Sequence, residues 1–323
     1  MPPADTQDDD DARRGGDLGA VLRAARTRLG AAGVPSPAVD ADLLAAGVLG
    51  LGPGELRAAA LRGTALTAAQ ASALAALVAR REAREPLQHL LGSAPFRGLE
   101  LLVGPGVFVP RPETETTAGL AVEAARQVVR SGRAPLVVDL CTGSGAVALA
   151  VASEVPSAVV VAVELDPAAH AWAQRNLDAH RSGGGPGAGA GERVRLVLGD
   201  ATSAEVLAEL DGQVDVVASN PPYVPPGAVP REPEVRDHDP ALALWGGGDD
   251  GLLVPRGVVA RAAALLGPGG FVVVEHAEVQ GGALRALLAP PSWEGATTHD
   301  DAGGRPRATS ARLVQAPVTH WPA

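Results

Sequence analysis

The sequence predicts an α/β protein: a parallel sheet covered by helices on both faces, preceded by a small all-helical domain. Three observations carry this. From Pro135 onward, apolar β-branched runs alternate with helical stretches, and strands buried on both faces read in this way. From Leu18 to Arg84 apolar residues recur only at helical spacing. Finally, the chain has 46% hydrophobic residues but only four Trp, three Phe and one Tyr, so its core is built from Ala, Val and Leu, which suits close helix-on-sheet packing.

In chain order, residues 1–16 form a charged acidic tail, expected to be disordered. Residues 17–85 are the helical domain. Leu18, Val21, Leu22, Ala25 and Leu29 share one helix face, and Pro37 opens a second helix carrying Leu43, Leu44 and Val48. Thr67 is an N-cap for a third helix through Leu74, Leu77 and Val78. No strand pattern occurs here. Arg80, Arg81 and Arg84 form the one local basic cluster and read as a solvated helix face. Residues 86–110, with Phe96, Leu99, Leu101 and Val103 set among Gly98, Gly104 and Gly106, read as a hairpin linker. Residues 111–316 are the sheet domain. Pro112 opens a helix with Glu113 and Glu115 in its first turn, where the helix dipole favours them. Strands are expected at 135–140, 158–163, 194–198, 214–219 and 270–275, with helices at 145–155 and 167–179. The stretch Ser182–Gly191 is an additional Gly-rich loop, expected to be flexible and devoid of chemistry.

A formal charge of −10 and a pI near 5.2 disfavour a broad phosphate-binding surface. The lone Cys141 excludes an internal disulfide. No signal peptide or membrane span is visible, so a soluble cytoplasmic monomer with no membrane or nucleic-acid partner is expected. No His, Cys or Asp cluster suggests a metal.

Ligands of such sheets bind beyond the carboxyl ends of the strands. The first strand end leads into Cys141, Thr142, Gly143, Ser144 and Gly145, a loop whose small residues let a ligand approach backbone N–H groups. Alone it is compatible with dinucleotide binding or a plain turn. Glu164 ends the second strand, where a carboxylate can accept from ribose hydroxyls, while Asp166 fits better as a helix N-cap. Asp200, after the third strand, is placed to accept from an adenine amino group. The fourth strand ends in Asn220, Pro221, Pro222 and Tyr223. Two successive prolines hold the preceding carbonyl and side chain in a fixed direction. Rigid acceptors beside the only tyrosine of the chain suit a planar –NH₂ group.

With these residues in place, the chain resembles the PrmC/HemK family of peptide chain release factor N5-glutamine methyltransferases. The resemblance includes Asn220 to Tyr223, Pro86 to Phe96, Val107 to Glu115, Glu234 to Leu244 with Gly251 and Leu252, Glu275 and His276 with Gln280 and Gly281, and Gly304 to Arg307 in a final hairpin. It departs at Cys141, where the family usually has Gly, at Glu164, often Asp, and at His238-Asp239-Pro240. The resemblance implies a class I (Rossmann-like) S-adenosylmethionine-dependent methyltransferase domain acting on the Gly-Gly-Gln glutamine of release factors in translation termination. It implies cofactor contacts at 141–145, Glu164, Asp200 and Asn220. Asn220, Pro221 and Tyr223 are the implied catalytic residues, with Pro222 joining them around the substrate, and the helical domain is left to recognise the substrate. Adenine-N6 or guanine-N2 methylation of nucleic acid, which uses the same tetrad, is the rival activity. A cofactor-binding scaffold without catalysis is the other alternative.

Overall fold

The computed structural model describes residues 14–181, 185–230 and 232–314. The stretch 1–13 of the expected tail therefore lies outside the described residues. Contacts divide the chain into two units: residues 1–92 with 230–238, and residues 93–229 with 239–323.

The first unit contains β1 (Arg14–Asp17), α1 (Leu18–Ala31), α2 (Pro37–Leu49), α3 (Pro53–Leu61), β2 (Ala65–Thr67), α4 (Ala68–Glu82) and α5 (Leu87–Leu91). The helices start where the sequence asks. Asp17 caps α1 by accepting from Ala20 N, and Thr67 with Gln70 forms a capping box on α4. Leu18, Leu22, Leu29, Leu44, Leu56, Leu74 and Val78 close one apolar core. Two expectations fail. β1 and β2 pair antiparallel, so the chain is ordered from within the supposed tail and the helical region does contain a strand. Each strand is only three or four residues long, too short to leave a period-two signal. The supposed solvated basic face holds for Arg80, which is exposed and pairs with Glu85, but not for Arg81 and Arg84. Arg81 is 5% exposed, bound to Asp40 (2.7 Å) and Glu234 (2.7 Å), and Arg84 grips both oxygens of Glu234 at 2.7 and 2.8 Å. Glu234 belongs to a short helix, Pro233–His238, more than a hundred residues away, so the chain region around α4 gives no sign of it.

The second unit opens with a hairpin of β3 (Ser93–Phe96) and β4 (Leu99–Leu102), narrower than the expected 86–110 because Leu87–Leu91 is helical. There follow α6 (Thr114–Arg130), β5 (Leu136–Leu140), α7 (Ala146–Glu154), β6 (Val159–Glu164), α8 (Pro167–Ala179), β7 (Val194–Leu198), β8 (Val214–Ser219), α9 (Leu253–Leu265), β9 (Leu266–Glu275), α10 (Gly281–Leu287), β10 (Trp293–Asp300) and β11 (Pro306–Leu313). One seven-stranded sheet runs in the order β10-β11-β9-β8-β5-β6-β7, with β11 alone reversed: it pairs antiparallel with both β9 and β10, so β10 runs in the same direction as the parallel strands. Side chains alternate between faces: Val137, Val160, Val216 and Val273 pack with α6 and α7, whereas Val138, Val161, Val217 and Val272 pack with α9. The chain leaves β5 for β6 on one side and returns to β8 on the other, which makes the β5–β8 junction the topological switch point.

The end of the Gly-rich stretch is not the loose loop expected from its composition. Residues 182–184 lie outside the described residues, but Ala190 and Gly191 are buried and begin a 3₁₀ turn at 190–193. A Cβ on Gly191 would stand 2.0 Å from Leu177 O. Glycine is used there for close approach, which composition alone cannot distinguish from flexibility. Among the described residues, no helix is long and apolar enough to cross a membrane, and no group of three or more His, Cys, Asp or Glu could hold a metal ion.

Candidate active site

At the carboxyl ends of β5, β6 and β8 lies a cavity of about 280 Å³, near the lower end of the range for small-molecule sites. Its floor is the loop after β5. Gly143 takes φ +58° with open space where a Cβ would be, so a ligand can approach its backbone. Cys141 also sits at positive φ, +63°, the conformation for which glycine is preferred. Burial pushes its thiol up from the usual range, with the Glu164 carboxylate adding to the effect, which favours the neutral thiol. Thr142, Ser144 and Ala146 line the same floor. Gly145 does not. It lies against Ala173 and serves the start of α7.

Glu164 joins this loop to the end of β6: Oε2 accepts from Gly143 N at 2.8 Å and Oε1 from Asp166 N at 2.9 Å. Each oxygen keeps a second lone pair for a ligand hydroxyl. Burial raises its pKa against the pull of these N–H groups. Asp166 caps α8 through Ala168 N, as its place before Pro167 predicts. Asp200 borders the cavity from the end of β7, its Oδ1 accepting from Thr202 N and Oγ1.

Asn220, Pro222 and Tyr223 form the wall after β8, while Pro221 is buried and lies outside the lining. Ser219 Oγ donates to Leu140 O at 2.7 Å and ties the tetrad to the central strand. Asn220 Nδ2 donates to Thr114 Oγ1 at 3.1 Å. Gln280 Nε2 donates to Tyr223 O at 2.9 Å. Gly246 and Gly251 press on the tetrad backbone. A Cβ on Gly246 would stand 2.8 Å from Pro222 O, and one on Gly251 2.5 Å from Tyr223 O.

Several site residues escape the strand-end reading. Asp139, within β5, is 1% exposed and lines the cavity. Its Oδ2 accepts from Thr142 Oγ1 and Ala148 N, whereas Oδ1 has no hydrogen-bond partner. Burial raises its pKa to about 7. The position of this acid inside an otherwise apolar strand was the available signal. Phe108, Thr114, Leu244 and Trp245 also line the cavity, and only folding brings them there. Glu275, 2% exposed at the end of β9, accepts from Thr114, Thr117 and Tyr223. An unpaired buried carboxylate oxygen beside an open glycine backbone and a second acid fits a cationic ligand bearing ribose hydroxyls, as the chemistry of S-adenosylmethionine requires.

Comparison with known proteins agrees in both units. The family model of the PrmC N-terminal domain matches residues 20–92, and that of the methyltransferase small domain matches residues 99–231. The chain is 49% identical over 297 residues to a release factor glutamine methyltransferase of Streptomyces coelicolor, covering 91% of this chain and 97% of that protein. Identity to the protein of the same name from Bifidobacterium longum is 45% over 290 residues, covering 89% and 96%. A 4-amino-L-phenylalanine/4-methylamino-L-phenylalanine methyltransferase of Streptomyces pristinaespiralis is 40% identical over 285 residues, covering 87% and 90%.

Proposed function

The chain belongs to the release factor glutamine methyltransferase family, and from that premise we propose how its cavity methylates the side-chain amide nitrogen of the Gly-Gly-Gln glutamine in a release factor. Bound S-adenosylmethionine supplies an electrophilic methyl group on a sulfonium centre. Residues 141–144 would hold its methionine end, with the Asp139 carboxylate offsetting its positive charge. Glu164 would accept from the ribose and Asp200 from the adenine amino group. The observation that carries the reading is the Asn220 amide, fixed by Thr114 at the rim of this cavity.

A carboxamide nitrogen is a poor nucleophile because its lone pair is delocalised into the carbonyl. With Nδ2 committed to Thr114, Asn220 presents Oδ1 as an acceptor. It takes one N–H bond of the substrate amide and helps turn the nitrogen lone pair toward the methyl group; the carbonyl of Pro221, a residue buried outside the cavity lining, is proposed to take the other N–H on substrate entry. Tyr223 packs against the amide plane. The acceleration comes from positioning. Once methylated, the substrate nitrogen carries one excess proton, which would pass to solvent.

An anilinic –NH₂ is also planar and conjugated, and the 40% identical relative acts on one by name, so the test must separate the two. Incubation with release factor, free 4-aminophenylalanine, an adenine- or guanine-containing oligonucleotide and labelled cofactor, followed by mass spectrometry, is expected to place the methyl on one glutamine amide. Labelling of the aromatic amine or the oligonucleotide with none on release factor would overturn the reading. Asn220→Ala is expected to slow turnover by roughly 10²–10³-fold while leaving cofactor affinity nearly unchanged.

A further inference from the structure

Behind the tetrad, three hydroxyls converge on Glu275, which lies outside the cavity lining although Thr114 and Tyr223 belong to it. Thr117 Oγ1 donates to Oε2 at 3.1 Å, and Thr114 Oγ1 and Tyr223 OH donate to Oε1 at 3.3 and 3.4 Å. Thr114 and Thr117 are 4% and 0% exposed, so solvent does not compete for them. The contacts are long for O–H···O bonds, but their directions matter more than their strength. An ionised carboxylate can only accept. Each hydroxyl must therefore turn its proton inward, and Thr114 Oγ1 is left with lone pairs alone to offer Asn220. Only Nδ2 of that amide can meet them.

We propose that Glu275 is a positioning residue for the transfer step: through Thr114 it fixes which way the Asn220 amide faces, so that Oδ1 and not Nδ2 meets the substrate nitrogen. This rests on the reading of Asn220 given above. Were Glu275 neutral, it could donate to Thr114 Oγ1. The threonine proton would then be free to meet Asn220 Oδ1, and the amide would turn a donor toward the substrate, repelling the N–H group it must hold. Burial brings the Glu275 pKa to about 7, so the switch falls within the working range of pH. The groups facing Glu275 are Thr114 and Thr117 of α6, Tyr223 of the tetrad, and Arg307 of β11, whose charge favours the ionised form and which also pairs with Asp301. His276, the next residue, bonds away to Thr309 and Ala277 O and is held below its usual pKa by burial.

Two measurements test this. In steady-state kinetics with release factor, Glu275→Gln is expected to lower kcat roughly 10- to 100-fold with KM and cofactor affinity nearly unchanged. Wild-type kcat should fall below about pH 7, the value that burial sets for Glu275, and the Gln variant should lose that limb. Thr114→Val should behave like Glu275→Gln, and Thr114→Ser should be close to wild type. This pair decides the matter even if Glu275→Gln does not fold. The second measurement needs no turnover: the ¹⁵N side-chain resonances of Asn220 should titrate with a midpoint near 7 in wild type and stay flat in the Gln variant. Equal kcat in Thr114→Val and Thr114→Ser, or a flat Asn220 titration in wild type, would overturn the proposal. A wild-type chain that methylates no glutamine would sink the functional reading instead, and the resonance titration would still decide the Asn220 arrangement.

Discussion

Asp139 has one carboxylate oxygen bonded to the glycine loop and α7, and the other unpaired in the cavity. Its pKa of about 7, raised by burial, makes cofactor binding pH-dependent with a definite sign. A cationic ligand favours the ionised form, so below pH 7 binding must first expel a proton. Calorimetric affinity is expected to weaken by up to about tenfold per pH unit on that side and to level off above it. Asp139→Asn should flatten this dependence and lower affinity at pH 8. An unchanged profile would show that the acid serves only the loop. Glu164→Ala removes charge-assisted hydrogen bonds worth roughly 1.5–3 kcal/mol each, so affinity should drop at least about tenfold. Because Glu164 also holds Gly143 N, Glu164→Gln separates the charge from the brace. If both variants bind the cofactor normally, the ribose is held elsewhere.

At the scale of elements, glycines decide how closely the segments around the tetrad approach. Gly251→Ala would place a methyl 2.5 Å from the Tyr223 carbonyl, on a backbone at φ +73°. Turnover is expected to collapse in this variant before stability does, since the displaced segment is the tetrad itself. Gly191→Ala meets Leu177 O at 2.0 Å, far from the cavity, and should cost stability instead. A melting temperature lowered by several degrees, roughly 2–4 °C per kcal/mol for a chain of this size, would confirm that this Gly-rich stretch is packed structure. Unchanged melting would restore the view that it is dispensable.

At the scale of the whole chain, the helical unit is proposed to choose the substrate, because a glutamine amide is too small and too common to be selected by the tetrad alone. Simple deletion of residues 1–92 is a compromised test. It would strip Glu234, held at a pKa of about 2 by Arg84 and Arg81 against the opposing effect of burial, of both its partners. The sign of that shift places the stability it contributes above the unfolded carboxylate pKa, to be lost only as pH falls through about 2. At neutral pH the ion network is therefore intact, and exposed apolar positions such as Val39 and Leu61 are the cleaner targets. Replacing both with Ser is expected to raise KM for intact release factor without changing KM for a short Gly-Gly-Gln peptide. Equal effects on the two substrates would move recognition to the sheet unit.

The positions of the parallel strands along the chain, the caps at Thr67 and Asp166, and the placing of Glu164, Asp200 and Asn220 at strand ends were legible because each depends on local periodicity or on what directly follows a strand. The α/β class and the family followed from the same residues. Tertiary structure alone decided the rest. Arg81 and Arg84 look solvated until Glu234 arrives from a distant segment. Gly191 looks flexible until Leu177 lies against it. Glu275 looks like another strand-end acid until Thr114, Thr117 and Tyr223 converge on it. The physical reason is common to all three: charge pairing, close backbone approach and hydrogen-bond direction depend on distances between residues far apart in the chain. Sequence periodicity reports only which face of an element is apolar.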